Sequence, residues 1–219
     1  MIDTRWHLLE NPEAVAAQAA QRMLQAAKRA IAAHGRFRIV LAGGNTPQAA
    51  YRRLVDADTD WSCWSIYFGD ERCLPANDPQ RNSRMAAQAL LDKVPLAAEN
   101  LFPIPAEQGA EAAAGAYRPV VEAALPFDFV LLGMGEDGHT ASLFPGQTHP
   151  VGELVHAVHN APKPPSDRVS LSAAALSSAD ELVILATGVG KRAAVHAWRC
   201  GVSLPIARIG GQKGVDVLL

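Results

Sequence analysis

The chain has 219 residues, of which 49% are apolar and 19% charged, and a formal net charge of −2. That length and composition suit one α/β domain with a sizeable core and exclude a disordered or low-complexity chain. The charge balance supplies no global positive field for nucleic acid or an anionic membrane; no stretch of about 18 apolar residues occurs, and Arg5, His7 and Glu10 interrupt the start, so neither a membrane span nor a signal peptide is expected.

Weak alternation over residues 4–9 predicts a first edge strand. Asn11-Pro12-Glu13 reads as a helix start with Asn11 as N-cap, and an alanine-rich helix runs to about Ala33, with Gly35 as its stop. Residues 37–41 form a buried strand ending in Gly43-Gly44-Asn45-Thr46-Pro47, where a helix resumes with Asn45 or Thr46 capping it. Residues 64–68 form another, ending in Gly69-Asp70-Glu71-Arg72. A polar loop, a helix over 83–91 and a proline-punctuated extended segment over 94–105 follow, the last with Leu101, Phe102 and Ile104 facing inward. A helix over 109–125 feeds a strand that begins at Phe127 and breaks at Gly133. After a loop-like region with a short strand at 154–158 come a strand at 168–171, a small-residue helix or turn, and a strand at 182–186. A turn at 187–190, a helix over 191–199 and a last strand at 205–209 complete the pattern, and the remaining tail is short and apolar. Trp61, Trp64 and Trp198 are expected in the core.

Strands alternating with helices predict a largely parallel sheet covered on both faces, with no domain boundary between residues 1 and 219. Four strand ends, near Gly43, Asp70, Gly133 and Gly188, then fall on one sheet edge and should converge. The central stretch is FDFVLLGMGEDGHTASLFPG, residues 127–146, a buried strand that ends in glycines and then offers Glu136, Asp137, His139, Thr140 and Ser142. Its G-x-G-x-x-G pattern is not a dinucleotide fingerprint, because Pro145 and Gly146 cut the following segment short.

Gly43 to Thr46 can wrap a phosphate through backbone N–H groups and the helix dipole, or serve only as a capped turn. It is not a P-loop, which needs a lysine straight after its second glycine. Lys191 follows a glycine turn and reads either as a phosphate partner or as a solvated lysine. A nucleophile elbow is absent, and His156 and His159 have nothing nearby to complete a zinc set. Cys63, Cys73 and Cys200 lack disulfide or metal spacing and read as reduced thiols of a cytoplasmic protein. His139 is the best general-base candidate, oriented by Asp137 or Asp70, although a capping histidine fits the same pattern. Asp70-Glu71-Arg72 also reads as a salt-bridged rim, and Arg168 as an edge charge.

Together LAGGNTP (41–47), FGDERCLPANDPQRNSRMA (68–86), LLGMGEDGHTASLFPG (131–146), RVSL (168–171) and the Thr187-Gly188-x-Gly190-Lys191 turn resemble the 6-phosphogluconolactonase family, over about residues 10 to 210. The resemblance implies an α/β fold, a three-layer α/β/α sandwich with a mostly parallel central sheet, similar to glucosamine-6-phosphate deaminase. It also implies hydrolysis of 6-phospho-D-glucono-1,5-lactone to 6-phospho-D-gluconate, the second step of the pentose phosphate pathway, without cofactor or metal. A δ-lactone is an activated ester, so water and a base suffice. In this expectation His139 takes a proton from water and returns it to the departing ring oxygen. Asp137 and Asp70 orient the base or the sugar hydroxyls, and Arg72 or backbone N–H groups hold the oxyanion. Gly43, Gly44, Asn45 and Thr46 cradle the phosphate, with Arg72, Arg168 and Lys191 as charge partners; Arg72 could instead pair with Glu71 or Asp70. Asn45 stands where many members have serine, which leaves the backbone donors intact.

The deaminase relatives carry a glutamate five residues after the histidine, where this chain has Phe144, as the lactonases have an aromatic. The implied partner is a small sugar-phosphate lactone, without nucleic acid or membrane, in a cytoplasmic monomer or small homo-oligomer. A non-catalytic sugar-phosphate sensor is the reading from another class. Such a sensor would usually carry a DNA-binding segment, and only one alanine-rich helix precedes residue 36.

Overall fold

Strands buried on both faces of a parallel sheet need continuous apolar runs, and the chain supplies them. A computed structural model describes residues 2–219. Its strands are β1 (Thr4–His7), β2 (Phe37–Leu41), β3 (Trp64–Phe68), β4 (Asp70–Arg72), β5 (Phe127–Gly133), β6 (Val155–Val158), β7 (Arg168–Leu171), β8 (Ala179–Leu185) and β9 (Val215–Leu218). Its α-helices are α1 (Pro12–His34), α2 (Asn45–Arg52), α3 (Asn82–Ala89), α4 (Ala110–Ala124), α5 (Ala173–Ser177) and α6 (Arg192–Arg199).

Six strands form a central sheet in the order β1-β9-β8-β5-β2-β3, with every neighbouring pair parallel. A second sheet, β4-β7-β6, is antiparallel. From β2 the chain moves outward to β3; from β5 it moves the other way, through β8 to β9. The strand order therefore reverses between β2 and β5, and a ligand crevice opens beyond the carboxyl ends at such a reversal.

Helices cover both faces in a three-layer α/β/α sandwich. Trp6 packs edge-on against Trp198 of α6, with ring centroids 4.8 Å apart. Its neighbours Arg5 and His7 point the opposite way, where they meet Asp216 of β9 and Arg22 of α1. So α1 and α6 lie on opposite faces of the β1 edge. The buried stripe of α1 is mostly alanine, with Val15 and Met23, and lets the helix sit close to the sheet. Asn11 caps it, accepting the Ala14 N–H at 2.9 Å, and Gly35 closes it. Trp61, Trp64 and Trp198 are core residues.

Three expectations change. No side chain caps α2: its N-cap is Gly44, and neither Asn45 nor Thr46 turns back onto the helix. Asp70-Glu71-Arg72 is not merely a turn but strand β4, paired with β7. Residues 205–209 are not a strand; Pro205–Arg208 is a 3-10 turn, and the last strand is β9 in the apolar tail. Asp216 sits within β9 because two guanidinium groups, those of Arg5 and Arg22, and the His7 ring surround it. Burial pushes its carboxyl up, yet hydrogen bonds from Arg5, His7 and Arg22 hold it well below the usual carboxylate range. Among the described residues, no helix is long and apolar enough to cross a membrane.

Candidate active site

The loop after β5 folds back on itself. The Gly135 N–H donates to the His139 carbonyl at 2.8 Å, and the Gly138 N–H donates to the Gly135 carbonyl at 3.1 Å. Within this loop Asp137 Oδ1 accepts the His139 backbone N–H at 3.1 Å and lies 2.5 Å from His139 Nδ1. Partial burial pushes the Asp137 carboxyl up, but the His139 N–H and imidazole pull it below its ordinary value. Asp137 therefore fixes the ring through Nδ1 and leaves Nε2 for a water or a ligand. Gly135 makes this geometry possible: a Cβ there would stand 2.1 Å from two His139 ring atoms and 2.7 Å from Asp137 Oδ1. Beyond the histidine, Thr140 Oγ1 donates to the Gly133 carbonyl at 2.8 Å, and Ala141 adopts φ 47°. That tight bend returns Ser142 and Phe144 to the interior, and the Phe144 ring rests 4.8 Å from the His139 ring.

The end of β3 contributes a second layer. Asp70 is buried, and its carboxylate accepts from Asn82 Nδ2 at 2.9 Å and Ser142 Oγ at 2.6 Å. Asp70 thus lines the cavity without a hydrogen bond to His139; among the described residues the side chain bonded to the ring is that of Asp137. Glu71 is fully buried and caps α3 from outside the helix. It accepts the N–H groups of Asn82 and Ser83 and the Ser83 hydroxyl, at 2.6–2.8 Å. Its ionic partner is Arg81, at 3.4 Å. The Arg72 guanidinium pairs with neither Glu71 nor Asp70, although the Arg72 backbone N–H donates to Glu71 Oε1 at 2.9 Å; its Nη1 donates to the Gln80 carbonyl. The salt-bridged rim expected from sequence is a capping carboxylate beside a hydrogen-bonded one.

The end of β2 brings the glycine turn onto this layer. Gly43 packs so tightly on Asn82 that a Cβ would stand 2.0 Å from its side-chain oxygen. The uncapped start of α2 follows, and Thr46 Oγ1 lies 2.6 Å from Thr187 Oγ1 at the end of β8. Beyond Thr187, Lys191 is half-buried; burial lowers its pKa, Glu136 raises it and Lys163 lowers it further.

Arg168 is not an edge charge. It is 5% exposed, lies over the Phe144 ring at 5.5 Å, and donates to the carbonyls of Lys163, Pro164 and Pro165. Burial lowers its pKa.

These elements enclose a cavity of about 390 Å³. Gly43 to Thr46, Asp70, Arg72, His139, Arg168 and Lys191 all line it, while Asp137 stands behind His139. Arg72, Lys163, Arg168 and Lys191 bring four positive charges to its walls against two carboxylates, Asp70 and Glu136. An excess of two cations in a chain of net charge −2 marks the cavity for an anion. The four strand-end turns converge as expected, the fourth through Thr187 and Lys191 rather than through Gly188.

Residues 10–218 match the family model described as glucosamine-6-phosphate isomerases/6-phosphogluconolactonase. The chain belongs to this family. The 6-phosphogluconolactonase of Streptomyces coelicolor is 38% identical over 224 residues, covering 92% of this chain and 85% of its own length. The crystal structure of 6-phosphogluconolactonase from Thermotoga maritima superposes with a TM-score of 0.92 at 25% identity, over 99% of both chains. A monomeric glucosamine-6-phosphate deaminase shares the fold, with a TM-score of 0.84 at 20% identity over 98% of this chain and 96% of its own.

Within this family site, sequence reasoning missed Asn82, Gly135 and Lys163. Asn82 carried one signal, a polar residue just inside a helix start. Lys163 carried another, a cation enclosed by Pro162, Pro164 and Pro165.

Proposed function

We propose that the chain hydrolyses 6-phospho-D-glucono-1,5-lactone to 6-phospho-D-gluconate, as the oxidative pentose phosphate pathway requires, within one domain spanning residues 1–219. The observation that carries this reading is the Asp137–His139 pair facing the uncapped start of α2 across a cation-lined cavity. Asp137 accepts the Nδ1 proton, so Nε2 takes a proton from water as its oxygen adds to the C1 carbonyl. The oxyanion that forms is met by N–H groups of the glycine turns. His139 then returns the proton to the ring oxygen as the C1–O bond breaks. Asp70, held by Asn82 and Ser142, receives a sugar hydroxyl on its remaining lone pairs. The phosphate rests on Gly43, Gly44, Asn45 and Thr46, with Lys191 and Arg72 as direct charge partners.

Phe144 supports ester hydrolysis over aminosugar deamination, since it sets a buried aromatic ring against His139 where the deaminases have a carboxylate. The reading includes a cytoplasmic monomer or small homo-oligomer acting on a small molecule, without nucleic acid or membrane partner. Free Cys63, Cys73 and Cys200 fit a reducing compartment.

His139→Ala tests the reading. Hydrolysis of fresh lactone, measured above the spontaneous background, should fall by about 10²–10⁴-fold with folding retained. Turnover like that of the unmodified chain would remove His139 from the mechanism.

A further inference from the structure

Arg168 lines the cavity, but two of its three guanidinium nitrogens, Nε and Nη2, are spent on backbone carbonyls. Nη2 bonds the carbonyls of Lys163 (2.9 Å) and Pro164 (3.3 Å), and Nε bonds that of Pro165 (3.2 Å). Three carbonyls of one short segment therefore converge on one buried guanidinium. Pro162, Pro164 and Pro165 restrict the same backbone, because each fixes its own φ. This clamped segment carries Lys163 to the cavity wall, where it joins Lys191. The two ammonium groups lie close enough for Lys163 to depress the Lys191 pKa, and Glu136 is the carboxylate that opposes this. Like charges gathered at one wall repel, and a dianion between them removes the repulsion.

We propose that Lys163 is a phosphate-specificity residue, an ammonium that engages the substrate phosphate from the cavity wall, and that Arg168 is the positioning residue that presents it. The proposal rests on the lactone reading above. It gives Arg168 the role of anchor of the segment 163–165 through Nε and Nη2. A backbone already held by Arg168 and three prolines loses little further entropy when the lysine engages.

The test is the ratio of kcat/KM for the phosphorylated lactone to kcat/KM for unphosphorylated glucono-1,5-lactone. Lys163→Met should lower that ratio by about tenfold, the size expected for one lost charge-assisted hydrogen bond, through KM of the phosphorylated substrate. Lys163→Arg should restore most of it, and Lys93→Met, at an exposed position away from the cavity, should leave it unmoved. Arg168→Gln should lower the same ratio, and should lower it no further when Lys163 is already methionine. An Arg168 that serves only packing would reduce both lactones alike in either background, and that result overturns the positioning role. A wild-type ratio in Lys163→Met overturns the role of Lys163 and leaves the lactonase reading standing. If the unmodified chain itself shows no preference for the phosphorylated lactone, the phosphate site fails, and this inference fails with it.

Discussion

Replacing Gly135 by alanine perturbs the Asp137–His139 pair and leaves the cationic walls of the site in place. The added Cβ would stand 2.1 Å from His139 Cε1 and Nδ1, whereas ordinary contact begins near 3.4 Å. The ring would have to retreat by the difference, about 1.3 Å, and its freedom to do so is limited. Asp137 grips Nδ1 at 2.5 Å, and Phe144 lies against the ring at a centroid distance of 4.8 Å. A misplacement of about 1 Å in a reacting group can cost about 10²-fold in rate, equivalent to about 2.7 kcal/mol of barrier. Lactone hydrolysis by Gly135→Ala should therefore fall about a hundredfold. The overpacking itself should cost about 1–3 kcal/mol of stability, so a thermal melt should still show a cooperative transition. The informative measurement is kcat with the phosphorylated lactone at a temperature well below that transition. A variant that melts cooperatively and turns over like the unmodified chain would show that the ring position is not what the chemistry depends on.

Two further outcomes concern stability. Glu71→Ala removes the cap of α3 and one of the two carboxylates on Arg81, which keeps Glu107 at 2.7 Å, so denaturant unfolding should show a loss of about 1–3 kcal/mol. Burial, with His149 beside it, pushes the His156 imidazole down to about 4 from an ordinary 6.5. The unfolded chain binds that proton below pH 6.5 and the folded chain only near pH 4, so the contribution is complete above pH 6.5 and lost as pH falls through this window. The full difference of 2.5 pH units corresponds to at most about 3 kcal/mol. His156→Gln should accordingly lose about 2 kcal/mol less stability than the unmodified chain between pH 7 and pH 4.5. Parallel losses in the two proteins would refute the assignment.

The central strands were legible because strands buried on both faces leave mostly apolar residues to read, with Arg38 and Ser65 the exceptions in β2 and β3. Phe37–Leu41 and Trp64–Phe68 end where the residues alone put them, and so does Arg168–Leu171 in the second sheet. Other strands escaped for identifiable reasons. β4 is three polar or charged residues, Asp70–Arg72, and exists because β7 pairs with it. β9 carries an aspartate that only Arg5, His7 and Arg22, about 200 residues away, make tolerable. The misplaced strand at 205–209 was apolar enough to qualify, but Pro205 opens a 3-10 turn there instead. In the site, residue types announced themselves through the glycine turns, while their partners did not. Nothing local says that Arg72 reaches Gln80, that Glu71 caps α3, or that Arg168 holds three carbonyls. Those pairings are set by how β4 lies against β7 and α3, which is tertiary information.

The position of β9 also governs the order in which the molecule can be completed. β1, the first strand of the sheet, has β9 as its sheet neighbour, and β9 also covers the exposed side of β8. Residues 4–7 cannot find their place in the sheet until residues 215–218 exist. At roughly 5–20 residues per second on a ribosome, that is a wait of roughly 10–40 s. For the last part of it, the roughly 2–6 s between completion of β8 at residue 185 and arrival of residue 215, the edge of β8 is unpaired, with open backbone groups that other strands can capture. The interval is a window for aggregation during synthesis, and it closes when the edge is filled from both ends of the chain.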